Sequence, residues 1–241
     1  MTRRLPKRWS PRSGTSSATS PAWTRPRPRR RRKDVSVDVA AEESGDLKQA
    51  GVGVPVLSAW WVLIGGVIGL LASITLTVEK IEILRNPSYV PSCNINPIMS
   101  CGSVMVTSQA SLMGFPNPLV GIAGFTVAVV TGVLAVAKVP LPRWYWAGMA
   151  VGLLIGAGFV HWLIFQSLYR IGALCPYCMV VWAVTVTMLV VVGSILLRPA
   201  LEDRAGWRLL FGWRWSIVTF WFTAVFLLIL VRFWNYWSTL I

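Results

Sequence analysis

A chain of 241 residues that is 55% hydrophobic and only 13% charged, with a mean hydropathy of +0.60, is too apolar for a soluble domain and reads as an integral membrane protein. The net charge of +14 is concentrated at one end: residues 1–56 carry 13 Lys/Arg against 5 Asp/Glu, and the rest of the chain 10 against 4. That distribution argues against a nucleic-acid partner and for a charged tail on a membrane body, with four cysteines and one histidine available for chemistry.

From Met1 onward the tail has no apolar periodicity, and Arg25-Pro26-Arg27-Pro28 followed by Arg29 to Lys33 is Pro-rich and like-charged, so it cannot bury a core. Residues 1–56 are therefore expected to be a disordered basic cytoplasmic tail that sets orientation and touches anionic headgroups of the lipid bilayer. The apolar run that follows lacks a small-residue cleavage site and is expected to stay as an uncleaved anchor.

Five apolar runs come next, each near the length needed to cross about 30 Å of hydrocarbon: Leu57–Val78, Leu119–Ala137, Tyr145–Gln166, Cys178–Leu197 and Ser216–Arg232. An odd number places the termini on opposite sides. With the tail inside, the inner loops hold Lys138, Arg143, Arg198, Arg204, Arg208 and Arg214, and the outer side only Lys80, Arg85, Arg170 and Arg232. The expected topology is a multi-pass protein of the inner (plasma) membrane with a cytoplasmic N-terminus. All four cysteines then lie on the outer (periplasmic) side or just beneath it. Trp60, Trp61, Trp144, Tyr145, Trp146, Trp213, Trp215, Trp234 and Trp237 fall where interfacial aromatic belts belong.

Gly148, Gly152 and Gly156 recur every four residues in the third run, as do Gly65, Gly69 and Ser73 in the first, so both are expected to offer smooth stripes for close helix packing. The outer segment 79–118 is rich in Pro and Asn, which punctuate turns, and holds a short apolar piece, Val104–Phe115, expected to lie as a half-buried helix or cap on the bundle. Glu79 and Glu82, at the end of the first run, are candidate proton-handling groups, although helix-end carboxylates at headgroup level are commoner.

Cys175-Pro176-Tyr177-Cys178 opens the fourth run. Two residues between cysteines let the sulfurs close into a disulfide or open to a dithiol, and a cysteine at a helix start gains from free N–H groups and the positive dipole end, which favour the thiolate. Pro176 suits a first helical position, where its missing N–H would be unpaired anyway. Cys93 and Cys101 form a second, more widely spaced pair beside another apolar run. Two pairs near one membrane face point to a disulfide relay. A static Cys93–Cys101 disulfide with inert Cys175 and Cys178 is a weaker reading in an oxidising compartment, and the spacing of Cys93 and Cys101 does not suit a structural zinc site, so no metal is expected. Electrons entering such a relay must leave it. In the absence of nucleotide, haem or iron–sulfur patterns, a membrane quinone is the simplest sink.

These residues resemble the vitamin K epoxide reductase family, especially its bacterial branch: Cys93 and Cys101 with Gly102-Ser103-Val104-Met105, then Phe115-Pro116-Asn117-Pro118-Leu119, then Leu168 through Cys178. The likeness spans roughly Trp60 to Leu197, and its order, spaced pair first, is opposite to that of the membrane disulfide oxidase DsbB. It implies an all-α polytopic membrane protein in which a four-helix transmembrane bundle (57–197, with the outer loop 79–118) surrounds a quinone site. A cytoplasmic loop (198–215) and a fifth transmembrane helix (216–241) follow. By this resemblance Cys175 and Cys178 are the active-site pair, Cys178 attacking the quinone (menaquinone or ubiquinone). Cys93 and Cys101 are the shuttle pair, Cys93 meeting a secreted thioredoxin-like (DsbA-like) protein and Cys101 exchanging with Cys175. Asn117 matches a quinone-bonding asparagine, and Thr107 stands where the family often has serine. His161, the sole histidine, is a further candidate for quinone contact or proton transfer as an intramembrane ionisable group, although a satisfied bundle histidine is the commoner case. Trp182 replaces a tyrosine of animal relatives, which argues against epoxide reduction. No thioredoxin-like domain follows the spans, so the partner is expected in trans. The competing expectations are a quinone or vitamin K epoxide reductase, and a membrane scaffold with structural disulfides.

Overall fold

The computed structural model describes residues 51–201 and 205–239, all within one compact unit, 43–241; the expected basic tail therefore lies outside the described residues up to position 50. The regular structure among them is helical, joined by two isolated β-bridges. In chain order these are α1 (Val56–Arg85), α2 (Cys101–Met105), a 3-10 turn (Ser108–Ser111), α3 (Pro118–Val136), α4 (Arg143–Phe165) running into a π turn (Gln166–Ile171), α5 (Pro176–Leu201), α6 (Ala205–Arg232) and α7 (Trp234–Trp237).

Among the described residues, five helical segments are long and apolar enough to cross a membrane: Val56–Arg85, Pro118–Val136, Arg143–Ile171, Pro176–Arg198 and Gly212–Arg232. The protein is a multi-pass membrane protein, with one span at each of the five expected runs. The helices overrun the apolar runs because backbone hydrogen bonding does not stop where hydropathy falls. The 30 residues of α1 reach about 45 Å, longer than the hydrocarbon is thick, and so carry Glu79 and Lys80 to the cysteine-bearing end. At the opposite end α5 continues to Leu201 and α6 begins at Ala205, so helix occupies most of the stretch expected as a loop over 198–215.

α1 and α5 form the central pair; α3 packs on α1, while α4 and α6 pack on α5. Ala59, Val62, Phe125, Ala128, Trp146, Met188 and Val192 fill the core between α1, α3, α4 and α5. The α1–α3 seam depends on absent side chains. A Cβ at Gly132 would stand 2.5 Å from the Leu63 backbone, and one at Gly66 2.9 Å from the Val129 backbone nitrogen.

The glycine stripes are thus corrected in part. Gly69 meets Phe125, and Ser73 is buried against Gly121, so the α1 stripe is a packing surface. Gly148 and Gly152 face open space, and Gly156 makes only ordinary contact with Thr185. Small residues permit close approach without causing it, and α4 turns this stripe away from its neighbours.

The piece expected over Val104–Phe115 is not one helix but the end of α2 followed by the 3-10 turn. Lys80 Nζ donates to the Met105 carbonyl and ties α2 to α1. Glu79, also buried, accepts from Ser92 Oγ at 2.6 Å. Adjacent residues of α1 thereby hold both flanks of the Cys93–Cys101 segment.

Candidate redox site

Cys175 immediately precedes the first residue of α5, and its carbonyl accepts from Met179 N at 3.0 Å. Its sulfur faces the unpaired amides of the first helical turn. The Cys178 thiol, and then the backbone N–H groups of Cys178 and Tyr177, hydrogen-bond to that sulfur and hold Cys175 below the usual thiol range, against burial and the Glu79 charge, which push the other way.

The partner segment is shaped by asparagine turns. Asn96 Oδ1 accepts from Ile98 N at 3.0 Å and Met99 N at 2.7 Å. Asn94 Oδ1 accepts from Gly102 N at 3.0 Å and Ser100 Oγ at 3.1 Å. Ser100 caps α2 by accepting from Ser103 N at 3.2 Å, so Cys101 becomes the first residue of that helix.

The two segments then pair. Ser100 N donates to Leu174 O at 2.9 Å and Leu174 N to Ile98 O at 2.7 Å, a parallel bridge between Met99 and Leu174. Cys101 and Cys175 each follow directly after a bonded residue, which sets their sulfurs 3.1 Å apart. Cys101 is itself bonded to Cys93, with 5.6 Å between the α-carbons, while Cys175 and Cys178 are free. The proton in the Cys101–Cys175 contact accordingly belongs to Cys175.

A thiol in contact with a disulfide is arranged for exchange. Cys175 thiolate attacking Cys101 Sγ forms a Cys101–Cys175 bond and expels Cys93 as thiolate. Cys178 then attacks Cys175, expels Cys101 and closes Cys175–Cys178. Two electrons and two protons move between the pairs, reversibly. The 3.1 Å separation is a near-attack distance. The sulfurs of Cys93, Cys101 and Cys175 lie within 4.8 Å of one another, as metal ligands would. Two of them are bonded together, however, and a disulfide offers no thiolate to zinc.

The remaining expected residues are engaged elsewhere. Thr107 Oγ1 donates to Val104 O at 2.7 Å within its own turn. Asn117 closes the cap, Nδ2 donating to Gln109 O at 2.6 Å and Oδ1 accepting from Leu112 N at 3.0 Å. Both ring nitrogens of His161 are taken: Nδ1 donates to Ala157 O at 2.7 Å and Nε2 accepts from Trp221 Nε1 at 2.8 Å, which pins α6 to α4. None of the three hydrogen-bonds to a cysteine.

Residues beyond the expected set support the site. Lys80 had no signal in the sequence beyond its charge at a helix end, whereas Asn94 and Asn96 were expected only to punctuate turns, which they do around the Cys93–Cys101 segment. Glu79 carried a proton-handling expectation, and its observed partner is Ser92, beside Cys93; its carboxylate also raises the Tyr89 phenol pKa. Trp182, one helical turn beyond Cys178, is buried with its indole N–H unpartnered. It joins an apolar cluster of Ile98, Leu168, Leu174, Ile229 and Phe233, against which Cys178 packs.

Fold and site together define a multi-pass membrane redox protein with a disulfide and a thiol pair in contact at one end of a helical bundle. The model of the Vitamin K epoxide reductase family matches residues 60–193, and the chain belongs to that family of oxidoreductases. The match takes in all four cysteines and ends within α5, ahead of α6. No curated protein matches the chain significantly.

Proposed function

We propose that this protein is a quinone-linked thiol–disulfide oxidoreductase that reoxidises a secreted thioredoxin-like (DsbA-like) partner and so sustains disulfide formation. The observation that carries the proposal is the 3.1 Å contact between the Cys175 thiol and Cys101 of the Cys93–Cys101 disulfide. In this reading the partner's thiolate attacks Cys93, Cys101 leaves, and the partner's second thiol completes its disulfide. Cys101 thiolate next attacks Cys175 of an oxidised Cys175–Cys178 pair and expels Cys178. Cys93 attacks Cys101 and releases Cys175. The products are a restored Cys93–Cys101 disulfide and a reduced Cys175–Cys178 pair, the pairing found in the structure. Cys93 is itself buried, but its neighbours Ser92 and Asn94 are exposed, so a partner would approach the disulfide past these two residues.

Cys178 and the buried indole N–H of Trp182 suit a quinone, since a buried donor without a partner matches a carbonyl oxygen. A quinone bound there would supply a two-electron, two-proton acceptor. Further supports for this reading are the apolar surroundings of Cys178 and the family match. The Lys/Arg distribution supports a cytoplasmic N-terminus in the plasma membrane and cysteines on the outer side.

The test follows quinone reduction spectrally in detergent on adding a reduced thioredoxin-like protein. Wild type turns over, Cys178→Ala is inactive with any thiol, and Cys93→Ala loses the protein substrate but keeps small dithiols. Equal rates for all three would sink the relay. Reduction of a vitamin K epoxide with no protein partner would move the assignment to the epoxide reductases.

A further inference from the structure

α6 lies beyond the residues matched by the family model, yet its end reaches the cysteine loop. Arg232 Nε donates to the Leu168 carbonyl at 2.9 Å. Leu168 belongs to the π turn Gln166–Ile171, at a helix terminus where carbonyls lack helical donors. Gly172 follows with φ +72°, its N–H bonded to Ser167 O at 3.0 Å, and reverses the chain in a conformation suited to glycine. Two residues later Leu174 makes the bridge that sets Cys175 against Cys101. Ile229 and Phe233, on either side of Arg232, pack in one cluster with Leu174 and with Ile98, whose carbonyl accepts from Leu174 N in that bridge. Farther along α6, the Trp221–His161 bond fastens the helix to α4.

We propose that α6 is a brace for the redox centre, with Arg232 as a positioning residue that fixes the turn Gln166–Gly172 and through it the place of Cys175 beside Cys101. Exchange needs the attacking sulfur at near-attack distance, and a displacement of about 1 Å slows such steps by orders of magnitude. The fifth span thereby acquires a role in the chemistry in addition to crossing the membrane. This inference concerns exchange between the two cysteine pairs and needs neither the quinone nor the protein partner.

The experiment uses the purified full-length protein with both pairs oxidised. One equivalent of dithiothreitol is added, samples are quenched with a maleimide over time, and mass spectrometry reads which cysteines have become thiols; the direct reduction of Cys175–Cys178, measured in Cys101→Ala, where Cys175 has no exchange partner, is subtracted. Arrival of electrons at Cys175 and Cys178 is expected to be about tenfold slower in Arg232→Met, the size of one charge-assisted hydrogen bond, with the thermal midpoint lowered by no more than about 4 °C. Arg232→Lys, which keeps a cationic donor, is expected to recover most of the rate. Slowing of less than about threefold in Arg232→Met, a midpoint that falls by more than about 4 °C, or no recovery in Arg232→Lys overturns the brace while leaving the relay intact. A wild type whose electrons never leave Cys93–Cys101 overturns both.

Discussion

Cys175 draws its reactivity from groups within three residues of it. Its thiol is held low chiefly by the Cys178 thiol and secondarily by two backbone amides of the α5 first turn. A lowered pKa means that thiolate, and with it the rate of attack on Cys101, rises at lower pH and levels off below the ordinary thiol value of about 8.5. Two variants isolate the cause. Cys178→Ala and Cys178→Ser both lack the resolving sulfur, so the reaction stops at the Cys101–Cys175 mixed disulfide, which a non-reducing gel resolves. Serine retains a hydroxyl donor and alanine does not, so the pH ramp for mixed-disulfide formation is expected at higher pH in Cys178→Ala. Coincident ramps would show that this hydrogen bond is not what lowers the thiol. The cysteines were legible from their types and spacing, because thiol chemistry needs nothing else. The surroundings of Thr107, Asn117 and His161 were not, since a hydroxyl, an amide or an imidazole bonds whatever the fold brings to it: Val104, Gln109 with Leu112, and Ala157 with Trp221.

Helices were placed well by hydropathy because hydrocarbon thickness dictates their length, while their faces were not. Glycines at four-residue spacing occur on both α1 and α4, yet only the α1 stripe meets a neighbour closely. The contrast is measurable. Gly132→Val drives two methyls into the Leu63 backbone and is expected to cost about 1–3 kcal/mol, the usual penalty of overpacking. Gly148→Val, on the open face of α4, is expected to stay within about 0.5 kcal/mol of wild type. Thermal unfolding midpoints in detergent check both, and equal losses would mean that the α4 stripe is also a seam. The short elements were harder to foresee. α2 exists because Ser100 caps it and Lys80 takes its last carbonyl, and the latter contact joins residues 25 positions apart.

For the whole molecule, the basic tail and the sparse outer cations argue for one orientation in the bilayer. A membrane-impermeant maleimide applied to intact cells is expected to label Ser88→Cys, in a protein otherwise lacking cysteine, and to spare Lys138→Cys. The opposite pattern would place the redox centre inside and remove the case for a secreted partner. By itself the sequence determined that the chain holds five apolar runs of membrane-crossing length and two cysteine pairs beside the ends of such runs, because both follow from local quantities: apolar length, residue type and spacing. The tertiary structure alone decided that Cys101 and Cys175 touch, that Gly148 and Gly152 of α4 face outward, and that Arg232 of the fifth span reaches the turn before the active pair. The two contacts are meetings of residues far apart in the chain, the first set by a two-bond bridge, and the glycine face is a matter of helix rotation, which leaves no periodic trace when nearly every face is apolar.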